Sequence, residues 1–206
     1  QYSDRLEFRG RMINQQSEFT GTRLVTLLLD QDSPSPLYGP LQSDSAESGY
    51  VIESTFYTGT FEYKLDDMTL TSVSSFTDAS AENHIVPGFI PPSFDAVLFD
   101  RAPGTTTAWY ADVASGSEKF TQEIQLTSVD NGSKLHWVVG LYYADEDAGL
   151  TNIQHIEPDT VEVMRLVFPS QYEEIAAFGN FTYQLTPEFD MTIGLRVSDH
   201  EIAFTP

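Results

Sequence analysis

The sequence predicts an all-β protein, an antiparallel up-and-down transmembrane β-barrel of which about seven strands are present. Three observations predict this fold. Segments of alternating polar and apolar residues recur along the chain, helical periodicity is weak throughout, and long connections alternate strictly with short ones. Long loops at one end and short turns at the other are typical of outer-membrane barrels, whereas soluble sandwiches mix connection lengths at both ends.

The predicted strands are rich in the aromatic and β-branched residues that strands favour. In chain order they are 5–14, 50–64, 68–80, 118–129, 134–147, 173–185 and 190–202. The segment with the best helical pattern, 160–167, is short and β-branched, so we predict a loop there.

The connections between these strands differ in length in a regular way. Long connections are predicted at 15–49, 81–117 and 148–172, and short turns at 66–67, 130–133 and 186–188. Because the strands run up and down, all three long connections lie at one end of the sheet. Loops longer than about 12–15 residues are uncommon in compact domains unless they are functional. We expect the long connections to be extracellular and the short turns periplasmic.

Each predicted strand has an apolar face and a polar face. In strand 190–202, for example, Met191, Ile193 and Leu195 alternate with Thr192, Gly194 and Arg196. In a soluble sandwich the apolar face would pack against a second sheet, whereas in a barrel it would face lipid. In the barrel the opposite face lines the lumen, and there we place Arg5, Arg9, Arg11, Glu123, Gln125 and Arg196.

Aromatic residues on the apolar face form two bands. Phe61, Tyr63, Phe181 and Tyr183 lie near the short turns, and Phe76, Phe120 and Tyr143 lie near the long connections. Two such bands are typical of the aromatic girdles at the two membrane interfaces. The same rings could also form the core of a soluble sheet, so the bands favour the barrel without excluding the sandwich.

Composition excludes several classes of protein. The chain has 206 residues, 40% of them hydrophobic and 13% aromatic, which is the composition of a folded protein. It contains no cysteine, so it has no disulfide and no thiolate metal site. Its formal net charge of −21 would repel nucleic acid. The chain has no apolar run of about 18 residues and no signal peptide at its start.

Three stretches of the chain carry a resemblance to a known family. They are TFEYKLDDMTLTSVSSFTD, then FTQEIQLTS followed by a turn and LHWVVGLYYADED, then EEIAAFGNFTYQLTPEFDMTIGLRVS. In this order they resemble strand pairs of TonB-dependent receptors of the Gram-negative outer membrane. The last stretch contains Phe178-Gly179-Asn180 and Gly194-Leu195-Arg196, which are similar to signatures of the family. Together the three stretches cover about half of the chain.

The resemblance implies a location and a function. A complete family member has a plug domain, a segment that binds TonB and a barrel of 22 strands, so we interpret residues 1–206 as part of such a barrel. The resemblance implies uptake of a ferric siderophore, with cobalamin or a carbohydrate as other ligands. The implied partners are TonB, through a region N-terminal to this chain, and outer-membrane lipid. A soluble secreted sandwich that binds glycan or protein and a passive porin-like barrel remain alternatives.

Candidate ligand-binding residues lie in the predicted long connections. Segment 81–117 carries five large aromatic residues, Phe89, Phe94, Phe99, Trp109 and Tyr110, with few charges. Such rings either pack together as a core of the loop or contact a ligand. We predict ligand contacts for Trp109, Tyr110, His84 and Arg101.

The sequence offers no catalytic or metal-binding arrangement. It lacks the nucleophile-elbow, zincin and phosphate-loop motifs, so we expect no enzyme activity and no cofactor. Glu173 and Glu174 are adjacent, and on a strand they point to opposite faces, so they cannot act as an acid–base pair. The four histidines are scattered along the chain, and Asp145-Glu146-Asp147 does not match the EF-hand calcium pattern.

Overall fold

Seven long strands form one antiparallel sheet in a computed structural model, which describes residues 5–20, 27–28, 35–36, 48–86, 93–130 and 132–204. The strands of the large sheet are β1 (Leu6–Thr20), β4 (Gly49–Lys64), β5 (Met68–Ile85), β6 (Ala108–Ser128), β7 (Leu135–Glu157), β8 (Val161–Thr186) and β9 (Phe189–Phe204). A two-stranded ribbon, β2 (Leu27–Leu28) with β3 (Ser35–Pro36), follows β1, and one short helix, α1 (Ser93–Leu98), precedes β6.

Within the large sheet every strand pairs with its neighbours in the chain, in the order β1-β4-β5-β6-β7-β8-β9. This topology confirms the predicted fold class, an all-β, antiparallel, up-and-down arrangement of seven strands. The three short turns are confirmed as well, because the strands flanking 65–67, 129–134 and 187–188 pair directly. No described helix is long and apolar enough to cross a membrane.

The predicted long connection 148–172 is wrong, and so is the predicted loop at 160–167. Strand β7 continues to Glu157 and β8 begins at Val161, so the two strands meet at a tight turn in which Asp159 and Thr160 have positive φ. Gln154 pairs with Met164 and His155 with Glu162, so Val163 is an extra residue on β8 that shifts the register and interrupts the alternation of that strand. The β-branched residues of 160–167 therefore extend a strand.

The other two long connections are shorter than predicted. Strand β1 continues to Thr20, and the described part of 81–117 contains the end of β5, helix α1, the irregular residues 99–107 and the start of β6. Phe89, one of the loop aromatics, lies outside the described residues.

The two faces of the sheet carry different sets of residues. We define the outer face as the side that carries Phe8, Tyr57, Phe76, Leu141 and Ile175, and the inner face as the side that carries Arg9, Glu62, Glu123, Ala144 and Ala176. On the outer face Leu141 is 61% exposed and Ile175 is 59% exposed, whereas Ala144 and Ala176 on the inner face are buried. Large apolar side chains thus lie exposed on the outer face, and among the described residues no second large sheet covers them.

On the outer face a row of aromatic residues separates apolar positions from charged ones. Tyr57 and Phe76 are neighbours with ring centroids 6.4 Å apart, and the same separation joins Phe120 and Tyr143. The next outward positions toward the long connections are acidic on five successive strands: Asp78, Glu118, Asp145, Glu173 and Asp199. The outer face therefore has an apolar zone that ends abruptly at charged residues.

Candidate functional site

An ionic network crosses the inner face from β6 to β9. We call its five residues the inner-face network: Lys119, Glu146, Tyr172, Glu174 and Arg196. The Lys119 ammonium lies 2.9 Å from the Glu146 carboxylate, which also accepts a hydrogen bond of 2.7 Å from the Ser117 hydroxyl. This arrangement follows from the register, which places Lys119 opposite Glu146 and Glu146 opposite Tyr172.

The second half of the inner-face network is centred on Glu174. Its carboxylate accepts hydrogen bonds from the Tyr172 hydroxyl, at 2.9 Å, and from Arg196 Nη2, at 2.7 Å. Lys119 Nζ lies 5.8 Å from the centroid of the Tyr172 ring, which joins the two halves. The Glu174 side chain is only 15% exposed, so its pair with Arg196 is screened less than a surface ion pair.

All the residues predicted to line the lumen lie together on one side of the sheet. The inner face carries Arg9, Arg11, Glu123, Gln125 and Arg196. Arg5 precedes β1 and continues the same alternation between the two faces. Arg9 forms ion pairs with Glu7 and Glu62, and Arg5 forms one with Asp66. That this shared face lines a lumen stays a prediction.

A shallow basin lies on the inner face beside the inner-face network, on the side of the long connections. Its floor consists of small residues on four strands: Ala79, Ala81, Ser115, Ser117, Ala148 and Ser170. Ile52, Leu150 and Phe168 form its walls, and its volume is about 410 Å³. The apolar walls and the small floor residues suit contact with an apolar group of a ligand.

The connection between α1 and β6 is organised around Asp95, which is 1% exposed. Its carboxylate accepts hydrogen bonds from the backbone N–H groups of Gly104, Thr105 and Thr106, at 2.5, 3.0 and 3.2 Å. The Thr106 hydroxyl has the largest lowering effect on the Asp95 pKa, and the three amides lower it further against the opposing effect of burial. Thr106 Oγ1 makes no hydrogen bond among the described residues, so the three amide hydrogen bonds are the cause of the lowered Asp95 pKa that the geometry supports.

The four predicted ligand-binding residues do not converge. His84 and Tyr110 lie together on the outer-face side of β5 and β6, with ring centroids 5.4 Å apart. Trp109 points to the inner face, where its indole N–H is buried without a hydrogen-bond partner among the described residues. Arg101 lies in the connection after α1, where its backbone N–H donates to the Asp95 carbonyl. Ligand contact by any of the four stays a prediction.

Asp112, which the sequence did not single out, and His155, one of the four scattered histidines, complete the group around Tyr110. Asp112 Oδ1 lies 2.6 Å from His84 Nδ1, and Asp112 Oδ2 lies 3.7 Å from His155 Nδ1. The rings of Tyr110 and His155 stack with centroids 5.1 Å apart. His84, Asp112 and His155 thus cluster on β5, β6 and β7, although His155 Nδ1 makes no hydrogen bond among the described residues. No described group of acidic or histidine residues is arranged to hold a metal ion.

The topology, the exposed apolar face and the ionic inner face define a sheet of the up-and-down β-barrel class. A solved structure with a similar fold is the ferric yersiniabactin uptake receptor FyuA from Yersinia pestis, with a TM-score of 0.66 and 12% sequence identity. The match covers 98% of this chain and 32% of that chain, so the chain spans about a third of the length of the receptor. No family model matches the chain, and no curated protein sequence matches it. At this identity the likeness shows the fold alone.

Proposed function

We propose that the chain is part of a TonB-dependent receptor in the outer membrane of a Gram-negative bacterium, which takes up a scarce nutrient. The observation that carries the proposal is the exposed apolar outer face of an up-and-down sheet whose opposite face is ionic. The likeness to the barrel of a ferric siderophore uptake receptor supports this class of transporter over a passive porin.

The dimensions of the outer face fit a membrane. Its apolar segment on β7, from Leu135 to Tyr143, has nine residues and is followed at once by Asp145 on the same face. A tilted barrel strand crosses the hydrocarbon layer with about 9–11 residues. The aromatic row lies at one interface, and the carboxylates beyond it lie in the polar headgroup region or in water. The long connections and the paired ends of β7 and β8 then project from the cell.

The inner face supports a role in ligand passage. The basin lies between the projecting ends of the strands and the inner-face network, where a ligand captured outside would pass on its way inward. We propose a ferric siderophore as the ligand, with an apolar group of the siderophore against Leu150 and Phe168. Trp109 faces the same side of the sheet and is a further candidate for contact. Energy coupling would use the plug domain and the partner protein TonB, which would bind through a region N-terminal to this chain.

Uptake measurements in cells test this function. The gene of the full-length protein is deleted, and uptake of radiolabelled ferric siderophores, cobalamin and carbohydrates is compared with that of the complemented strain. We expect loss of uptake of one ferric siderophore, and the same loss when the proton-motive force is dissipated. Unchanged uptake of every ferric siderophore in the deletion strain would contradict the proposed ligand.

Two adjacent residues provide a matched test of the basin. Ala81 lies on its floor, and Glu82 points to the outer face of the same strand. Ala81→Trp fills the basin and should lower uptake, whereas Glu82→Trp adds bulk outside it and should leave uptake close to the wild-type value. Both variants are compared at equal surface levels. Equal uptake by the two variants would remove the basin from the proposal.

A further inference from the structure

The outer face contains a depression that the proposed transport function does not use. We call it the outer-face trough, and its floor is a row of small residues on three strands, Gly10, Gly59 and Ser74, which pair in register. Phe8 forms one wall, and Tyr57 and Phe76 form the opposite wall. The trough has a volume of about 560 Å³. Its position places it in the apolar zone, directly below the aromatic row.

The floor is open because two of its residues lack a side chain. A Cβ atom at Gly10 would lie 4.0 Å from the Phe8 ring, and one at Gly59 would lie 3.9 Å from it. The Phe8 ring therefore already lies at contact distance from the space above both glycines. A larger side chain at either position would fill the trough.

The polar groups at the end of the trough are satisfied within the protein. The Ser74 hydroxyl donates a hydrogen bond to Gln122 Oε1. The Gln122 amide nitrogen in turn donates to the Ser72 hydroxyl, at 2.9 Å, and to the Glu123 carbonyl, at 3.1 Å. An occupant of the trough is thus not needed as a hydrogen-bond donor or acceptor, which favours a hydrocarbon over a polar partner.

The size of the trough also excludes an α-helix and a larger protein surface as its occupant. On β1 the walls of the trough are Phe8 and Met12. These residues are four positions apart, which is about 13 Å along a strand, and their side chains narrow the space between them further. An α-helix with side chains is about 10–12 Å wide and does not fit into what remains. The floor crosses three strands at about 4.8 Å spacing, so it is about 10 Å long. The area that a partner could bury in the trough is therefore far below the roughly 1,200 Å² of a stable protein interface.

We propose that the outer-face trough binds a single acyl chain of a membrane lipid in a fixed position. The inference rests on the proposed placement of the outer face in a bilayer. It goes beyond that placement because it assigns one ordered chain to one site, while the rest of the apolar zone contacts exchanging lipid.

Photocrosslinking tests the proposal with the full-length protein folded into phospholipid vesicles. The probe is a phosphatidylethanolamine with a diazirine in one acyl chain, and adducts are mapped by mass spectrometry of peptides. We expect adducts enriched on the peptides that contain Phe8 and Phe76, relative to those that contain Leu141 and Leu195. Gly59→Leu should abolish the enrichment, and Ala177→Leu, which adds bulk to the same face outside the trough, should keep it.

A second variant covers the case in which Gly59→Leu does not fold. Phe8→Ala removes one wall at a residue that is 73% exposed, and it should also abolish the enrichment on the Phe76 peptide. Equal labelling of all outward-facing peptides in the wild type would contradict the ordered acyl chain in the trough, but it would not contradict the proposed membrane barrel. No lipid adduct on any outward peptide would overturn both proposals. Crosslinks from the trough to a second protein chain would show that a protein, and not an acyl chain, occupies the trough.

Discussion

At the scale of single residues, a charge tests which face meets lipid. Leu141→Arg places a cation on the outer face within the apolar zone, and such substitutions cost about 2–4 kcal/mol at the midplane of a bilayer. Thr127→Arg places the same cation on the inner face, as its pairing with Val138 shows, and should cost much less. The free energy of folding into bilayers is measured for the full-length protein. Equal costs for the two variants would contradict the assignment of the faces.

Gly140 tests the packing of the inner face. A Cβ atom there would overlap the Phe178 ring and lie 3.0 Å from the Ile124 carbonyl oxygen, which belongs to the backbone and cannot move aside. Gly140→Ala should therefore destabilise the protein by about 1–3 kcal/mol, as overpacking does. Gly149→Ala on the same strand meets only ordinary contacts, at 3.9 Å, and is the control. The free energy of folding into bilayers is measured for both variants. A smaller loss of stability for Gly140→Ala than for Gly149→Ala would show that the Phe178 ring does not lie against Gly140.

At the scale of elements, hairpin register could be predicted from the sequence once a short turn was located. Lys119 and Glu146 lie at equal distances from the turn near Gly132, whose φ of 80° suits glycine, and so they pair. The central ion pair of the inner-face network was thus accessible to sequence reasoning. The contact of Glu174 with Arg196 was less accessible because it is diagonal and depends on side-chain reach.

The ends of β7 and β8 and the connection around Asp95 could not be predicted in this way. The extra residue Val163 on β8, opposite Gln154 and His155, breaks the alternation on which strand prediction depends. The amides that bind Asp95 are nine to eleven residues away from it, and no periodic pattern encodes such contacts. The same limit applies to the group of His84, Asp112 and His155, which comes from three different strands.

The Asp95 connection should depend on pH. The pKa of Asp95 is lowered in the fold, so its contribution to stability is complete above its unfolded value of about 3.9 and is lost as the pH falls through the lower folded value. We expect hydrogen exchange at the amides of Gly104 and Thr105 to stay slow at pH 5–7, after correction for intrinsic rates, and to lose protection below about pH 4. Asp95→Ala should remove their protection at every pH.

The Thr107 amide is the internal control for this measurement. It donates to the Glu157 carbonyl at 2.9 Å and has no carboxylate acceptor. Its protection should not follow the titration of Asp95. Protection of Gly104 that is independent of pH, or that survives Asp95→Ala, would show that another group holds the connection.

At the scale of the whole molecule, the two ends of the sheet should lie on opposite sides of the membrane. Asp159→Cys at the β7–β8 turn should react with an impermeant thiol reagent on intact cells, because that turn projects outward in the proposed orientation. Ser133→Cys at the β6–β7 turn should react only after the outer membrane is permeabilised. The chain has no native cysteine, so the labelling reports one site in each variant. Labelling of Ser133→Cys on intact cells would invert the orientation.

The 206-residue chain expressed by itself should not form a stable soluble monomer. Strands β1 and β9 each pair on one side only in the large sheet, and unpaired strand edges invite addition of other chains. Among the described residues no second large sheet covers the outer face, where Phe8 is 73% and Leu195 is 71% exposed. The largest apolar patch on a soluble monomer is about 300–600 Å², and seven strands with a continuous apolar zone exceed it.

The net charge of −21 opposes aggregation through repulsion, but it leaves that apolar surface in contact with water. We therefore expect inclusion bodies, or a requirement for detergent, when the chain is expressed without its neighbours, as measured by sedimentation and light scattering. A detergent-free, monodisperse monomer with a cooperative thermal transition would contradict the membrane placement. It would also favour a soluble binding domain, because such a domain must cover its apolar face with its own residues.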